Sequence, residues 1–392
     1  MQRLPPPAFA LLLAALCAVA VLPARAATPQ SEEARHSIGF RVLERTDSSR
    51  VSPRFPKGRP LQISLWYPAA SASPPLTYRD YYLLSTRELS FEPVDKAVDR
   101  EAIAKFTSFL AAAGVKAEDA QTFLATKMRA SRNAAPVLGR FPLILIAQGN
   151  DQSAHDQAFL AESLAARGYV VATVPSQTRL GSPMTEEREI PTQAEEQATD
   201  LAFTLRALRS EPQVRASGKY GLVAHSFGAR SALLLMMRDS DAAALVSLDG
   251  GIGGKAGKGW LEKARSFDRA KATAPLLHFY EVGDRFMVPD HEILRSLDRA
   301  NRWLVKVDGM RHVHFTSLGI AVRSLPALAE KTSAEPRTPR AWEAVAEMTA
   351  SFLERFIGDD TDAQAEPGRW TPPASPLLHP EKLPALHPGA GE

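Results

Sequence analysis

Three residues with the chemistry for acyl transfer, Ser226, Asp249 and His312, each stand at or just beyond the end of a short apolar run. A serine hydroxyl is a poor nucleophile at neutral pH. It needs a base within hydrogen-bond reach, and that base needs an acid to hold it in the right tautomer. Residues 220–230 read as a short strand, a sharp turn at Ser226 and a helix over 231–237, the pattern of a nucleophile elbow. Strand and helix nearly collide at such a turn, so it demands a tiny residue two before the serine and a glycine two after. Ala224 and Gly228 fill those places. The pentapeptide alone is equally well explained as a buried turn with a chance serine, because short patterns of this kind recur. The decision rests on the surrounding elements.

Each partner has a rival. Asp284 follows the apolar run 275–280 in a Gly283-Asp284 setting and is the alternative acid. Asp249 adjoins its own run directly and is placed first. His314 lies two residues from His312 and is the alternative base; in an extended loop the two rings point to opposite sides, so only one can face Ser226. His225 belongs to the elbow itself, with its side chain directed away from Ser226, and its role is packing or support.

The elements that would position these groups form a repeating strand-helix series. Residues 37–45 and 61–67 read as strands, the second closed by Pro68. Residues 76–136 turn helical, with Ile103, Phe106 and Leu110 on one face, a break at Gly114, then Phe123, Leu124 and Met128, and form an insertion over the sheet. Residues 141–147 are a continuous apolar run, the mark of a strand buried on both faces. A helical pattern over 153–167 ends at Gly168 and leads to a second buried strand, 169–174, so the pair is parallel with a right-handed crossover. A helix over 192–209 leads to the elbow, strands follow at 242–248, 275–280 and 303–307, and a helix over 342–357 closes the domain at Gly358. In an open parallel sheet, functional groups collect beyond the carboxyl ends of the strands, where Ser226, Asp249 and His312 all fall.

The order serine, acid, histidine is that of the α/β-hydrolases. From the strand before Trp66-Tyr67-Pro68 to the closing helix, the chain resembles the platelet-activating-factor acetylhydrolase and dienelactone-hydrolase-like group of that superfamily. The resemblance is carried by Ala224-His225-Ser226-Phe227-Gly228 against G-H-S-F-G, by Leu248-Asp249, and by Gly309-Met310-Arg311-His312-Val313-His314-Phe315 against G-x-x-H-x-x-F. It implies an α/β fold with a mostly parallel sheet flanked by helices, and hydrolysis of carboxylic esters with short acyl arms. It also implies an oxyanion hole from the backbone N–H groups of Phe227 and Asn150, with Gln148 where the family usually has histidine. Acyl transfer or peptide hydrolysis on the same three residues, or a non-catalytic binding protein with this fold, are the alternatives.

Composition bounds the setting. Arg3, the apolar run 8–22 and Ala24-Arg25-Ala26 read as a secretory leader cleaved after Ala26, implying a periplasmic or secreted protein. That apolar run is short for a membrane span, and no later stretch approaches the ~20 apolar residues a span needs. Cys17, the only cysteine, falls in the leader, so the mature chain would lack a thiol nucleophile or thiolate metal site. The formal net charge of +3 falls to about +1 without Arg3 and Arg25, and no basic patch marks a nucleic-acid partner. The expected partner is a small ester, with no cofactor and no metal. Residues 250–258, rich in glycine and lysine, lack the spacing of a phosphate-binding loop and read as a flexible loop beside Asp249. Residues 27–358 are expected to form one domain, with 359–392 a proline-rich, disordered tail.

Overall fold

Leu143-Ile144-Leu145-Ile146-Ala147 is buried along its whole length, and the sheet is built outward from it. The computed structural model describes residues 36–71, 74–93, 95–182, 184–214, 218–358 and 370–386. The expected leader, 1–26, lies outside them, as do 359–369 and 387–392 of the expected tail. The strands are β1 (Ser37–Asp47), β2 (Arg59–Ala69), β3 (Pro75–Thr77), β4 (Lys127–Arg132), β5 (Leu143–Ala147), β6 (Val170–Thr173), β7 (Tyr220–His225), β8 (Ala242–Leu248), β9 (Leu276–Tyr280), β10 (Arg302–Val307) and β11 (Leu378–Leu383). They form one sheet in the order β11-β10-β9-β8-β7-β5-β6-β2-β1-β4-β3. From β6 to β10 every neighbour is parallel.

Successive side chains of a strand point to opposite faces, so each central strand feeds two cores. Ile144, Ile146, Val223, Val246 and Val305 pack on one face with α4 (Ala158–Ala165) and the closing helix (Thr338–Ile357). Leu143, Leu145, Leu222, Leu245 and Leu304 pack on the other with α5 (Ile190–Leu208) and α6 (Gly228–Arg238). β2 is buried along all its residues, because it lies inside the sheet between β1 and β6; Pro68 falls within it rather than ending it.

The insertion is only partly helical. After β3 come α1 (Tyr78–Tyr82), α2 (Lys96–Ala112) and α3 (Ala117–Leu124), with Ile103, Phe106 and Leu110 buried on α2. Met128, expected on a helix, lies in β4, which runs parallel to β1. The buried Glu162 carboxylate of α4 accepts the N–H groups of Arg129 (2.8 Å) and Ala130 (3.0 Å), holding this segment extended. Such a long-range partner leaves no trace in local periodicity.

The tail departs from its expected disorder. Residues 370–386 return to the sheet, and β11 pairs antiparallel with β10. The Trp370 ring meets Trp303 edge-on at 5.3 Å and Phe352 at 5.0 Å, and its indole N–H donates to Ser351 Oγ at 3.2 Å. Leu378 is the only fully buried residue of β11, so the strand carries no apolar alternation to read. Its Pro380 is tolerated because an edge strand needs hydrogen bonds on one side only. Trp370→Ala should therefore cost about 3 kcal/mol, the usual loss for a buried aromatic. Ending the chain after Gly358 should lower the melting temperature measurably; an unchanged thermal melt for both variants would show that the segment contributes nothing to the domain.

Candidate active site

β7 delivers its last residue, His225, into a turn where Ser226 adopts φ +52°, a left-handed conformation rarely taken by a side-chain-bearing residue. The turn is held by Ser226 N–H to Leu248 C=O (3.3 Å) and Gly251 N–H to Ser226 C=O (2.8 Å). A Cβ at Gly228 would lie 2.3 Å from the Ala147 carbonyl oxygen, so only glycine lets α6 start this close to β5.

Beyond β8, Asp249 is also left-handed at φ +43°, and its N–H donates to Phe279 C=O at 2.9 Å. Beyond β10, a turn carries His312 back over the sheet end. The three side chains form one hydrogen-bonded chain: Asp249 Oδ2 to His312 Nδ1 at 2.6 Å, and His312 Nε2 to Ser226 Oγ at 3.0 Å. Asp249 is 1% exposed and His312 7%, while Ser226 stays half-open. Burial pushes the Asp249 carboxyl above its ordinary value, and the His312 hydrogen bond and charge draw it back down.

The rivals lie elsewhere. Asp284 donates its N–H to the buried Glu281 carboxylate (2.9 Å) and accepts Phe286 N–H at 2.8 Å, the pattern of a turn residue. His314 is fully buried: its Nδ1 accepts Arg311 N–H at 2.9 Å and its Nε2 meets Thr332 Oγ1 at 2.9 Å. Burial, with the nearby Arg311 charge, lowers the His314 pKa to about 4. The unfolded chain takes up this proton near pH 6.5, whereas the folded protein resists until about 4. Stability present above pH 6.5 should thus fall as the pH drops through that window, and His314→Gln should flatten the fall. Melting temperatures across pH 4 to 7 check this; an unaltered slope in the variant would remove His314 as the cause.

Sequence reasoning gave His225 a packing or supporting role and missed the glutamines around it. His225 stacks on His312 at 4.8 Å, with Nδ1 3.0 Å from Gln152 Oε1 and Nε2 3.2 Å from the His312 carbonyl. Burial, then the neighbouring His312, holds His225 well below the usual histidine value, so the ring is neutral. Gln152 Oε1 also accepts Gly149 N–H at 2.7 Å, tying the loop after β5 to the elbow. A Cβ on Gly149 would come 3.0 Å from Ser226 Cβ, so this loop packs directly against the serine. Gln177 Nε2 donates to Asn150 Oδ1 at 2.9 Å, and Gln148 is buried with its Nε2 on Thr173 Oγ1 at 3.0 Å. Glu281 N–H lies 3.4 Å from Asp249 Oδ1. Isolated amides carry no periodicity or motif, so no sequence signal singles out these glutamines. The N–H groups of Phe227 and Asn150 have no acceptor among the described residues.

The glycine-rich stretch after Asp249 is packed rather than flexible at its start: residues 251–254 are buried, and a Cβ on Gly250 or Gly253 would strike Ser247 or His278. Among the described residues no group of three or more His, Cys, Asp or Glu is placed to hold a metal ion, and no helix is long and apolar enough to cross a membrane.

A mostly parallel sheet covered by helices on both faces, with the elbow after its central strand, is the α/β-hydrolase fold. No family model matches the sequence, and no curated protein matches it. Among solved structures, the chain is similar to a ferulic acid esterase from Streptomyces cinnamoneus, with a TM-score of 0.56 and 20% identity over 82% of this chain and 91% of that one. A likeness at that identity speaks to the fold.

Proposed function

We propose that this protein is a serine hydrolase that cleaves carboxylic esters through an acyl-enzyme. The observation that carries the reading is the continuous chain from the Asp249 carboxylate through His312 to the Ser226 hydroxyl, at 2.6 and 3.0 Å. Ser226 Oγ attacks the acyl carbon as its proton passes to His312 Nε2. The Asp249 carboxylate holds the ring with Nδ1–H toward itself and stabilises the imidazolium. The N–H groups of Phe227 and Asn150 take the negative oxygen of the tetrahedral intermediate. His312 returns the proton to the departing alkoxide as the ester bond breaks, and water then repeats the sequence on the acyl-enzyme, releasing the acid and restoring Ser226.

The motifs of the acetylhydrolase and dienelactone-hydrolase-like group, and the esterase found among similar structures, point the same way. The leader pattern of residues 1–26 supports a periplasmic or secreted setting for the activity. A fluorophosphonate probe should label Ser226 in the wild type and leave Ser226→Ala unlabelled. Folded wild-type protein that takes no label would overturn the reading in favour of a binding protein with this fold. Product analysis with added alcohols separates hydrolysis from acyl transfer.

A further inference from the structure

A cavity of about 620 Å³ lies between the insertion and the segments that follow β5 and β10. Its walls include Asp151, which directly follows the proposed oxyanion donor Asn150, and Thr316, which follows the turn bearing His312. Opposite them stand Tyr78 and Tyr82 around α1, and Phe106 and Phe109 of α2. Tyr82 packs against Phe106 at 4.6 Å and edge-on against His155 at 4.9 Å, giving the wall faces and edges suited to an aromatic ring.

Its two cations are paired, and the carboxylates of Glu101, Asp151 and Asp156 leave the wall net negative. Arg179 is paired with the buried Glu88 and also donates to Ser85 C=O at 3.3 Å, and Lys105 is paired with Glu101 at 2.8 Å. Neither cation is left over for a substrate carboxylate. Volume adds a second constraint, because cavities of about 300–1,000 Å³ are those that enclose whole small molecules. An acetyl group would leave most of this one to water.

Mechanism decides between the two arms of an ester. The leaving oxygen must come within reach of His312 Nε2, and the Phe286 ring, 69% exposed, stands 5.6 Å from the His312 ring. Phe286 offers the alcohol arm a face to depart past, and the cavity, whose wall begins at Asp151 beside Asn150, is assigned to the acyl arm. Resting on the hydrolase reading, we infer that this cavity receives the acyl group, and that the preferred acyl group is a bulky, uncharged aromatic one rather than acetyl.

The test compares p-nitrophenyl acetate with p-nitrophenyl 3-phenylpropanoate. Wild type should favour the aromatic ester by about tenfold or more in kcat/KM, the scale on which a filled apolar pocket discriminates. Ala102→Trp, half-buried on the cavity wall, should lower the ratio of aromatic to acetyl kcat/KM by about tenfold, mainly through KM. Val98→Trp, at a wall position 41% exposed and so tolerant of a large side chain, should lower that ratio in the same direction and guards against a folding defect in the first variant. With ethyl and phenethyl acetate, the ratio should not respond to either variant. A wild type that favours acetate, an unchanged ratio in both folded variants, or a penalty that follows the alcohol arm would overturn the inference. Turnover of p-nitrophenyl acetate with labelling of Ser226 would, in those cases, leave the hydrolase reading standing; absence of both would remove the two together.

Discussion

Ser226→Ala and His312→Ala are each expected to lower kcat on p-nitrophenyl acetate by on the order of 10⁴ to 10⁶ without unfolding the protein. In the proposed mechanism the serine supplies the bond-forming oxygen and the histidine moves a proton in every step, so losing either would remove the covalent route. The two defects should not add. Once Ser226 is gone, His312 has no proton to take, and the double variant should be about as slow as either single one. The Ser226 side chain is half-open at a turn held by backbone hydrogen bonds, so its truncation should hardly change the melt. Normal turnover by either variant would dismantle the mechanism.

Asp249→Asn is expected to lower kcat by on the order of 10⁴. An amide in this place can present N–H to His312 Nδ1 and so favour the tautomer whose Nε2 carries the proton, which cannot then accept one from Ser226. It also leaves the imidazolium without its anion. Asp284→Asn should stay within about tenfold, or about 1.4 kcal/mol of barrier, because the Asp284 carboxylate accepts Phe286 N–H, its own N–H goes to the Glu281 carboxylate, and neither hydrogen bond involves a histidine. Steady-state kinetics with parallel thermal melts decide the matter. A nearly inactive, folded Asp284→Asn beside a nearly normal Asp249→Asn would move the acid to the later strand.

Both largest effects fall on residues that stand out in the sequence, and the reason is local. An elbow needs small residues at Ala224 and Gly228 whatever the rest of the protein does, so its sterics are written into five consecutive positions. Buried parallel strands are written as unbroken apolar runs, because helices cover both faces; β5, β6, β8, β9 and β10 were legible for that reason. Chain order at the strand ends then brought Ser226, Asp249 and His312 forward together.

Other features are properties of distance through space. Asp249 and Asp284 both follow strands, and only the path of the loops decides which carboxylate meets His312 Nδ1. The two histidines of the last turn differ by two positions, yet His312 faces Ser226 while His314 is sealed against Thr332. Gln152 and Gln177 brace the loop beside the serine through single side-chain hydrogen bonds, which need no sequence period. β4 takes its place partly through Glu162, and β11 through an exposed edge and one buried tryptophan. Sequence determined the candidate reacting residues and the central sheet, because sterics and burial act residue by residue. Tertiary structure alone settled the partners, the cavity and the two edges, because those depend on side chains far apart in the chain coming within a few ångströms of one another.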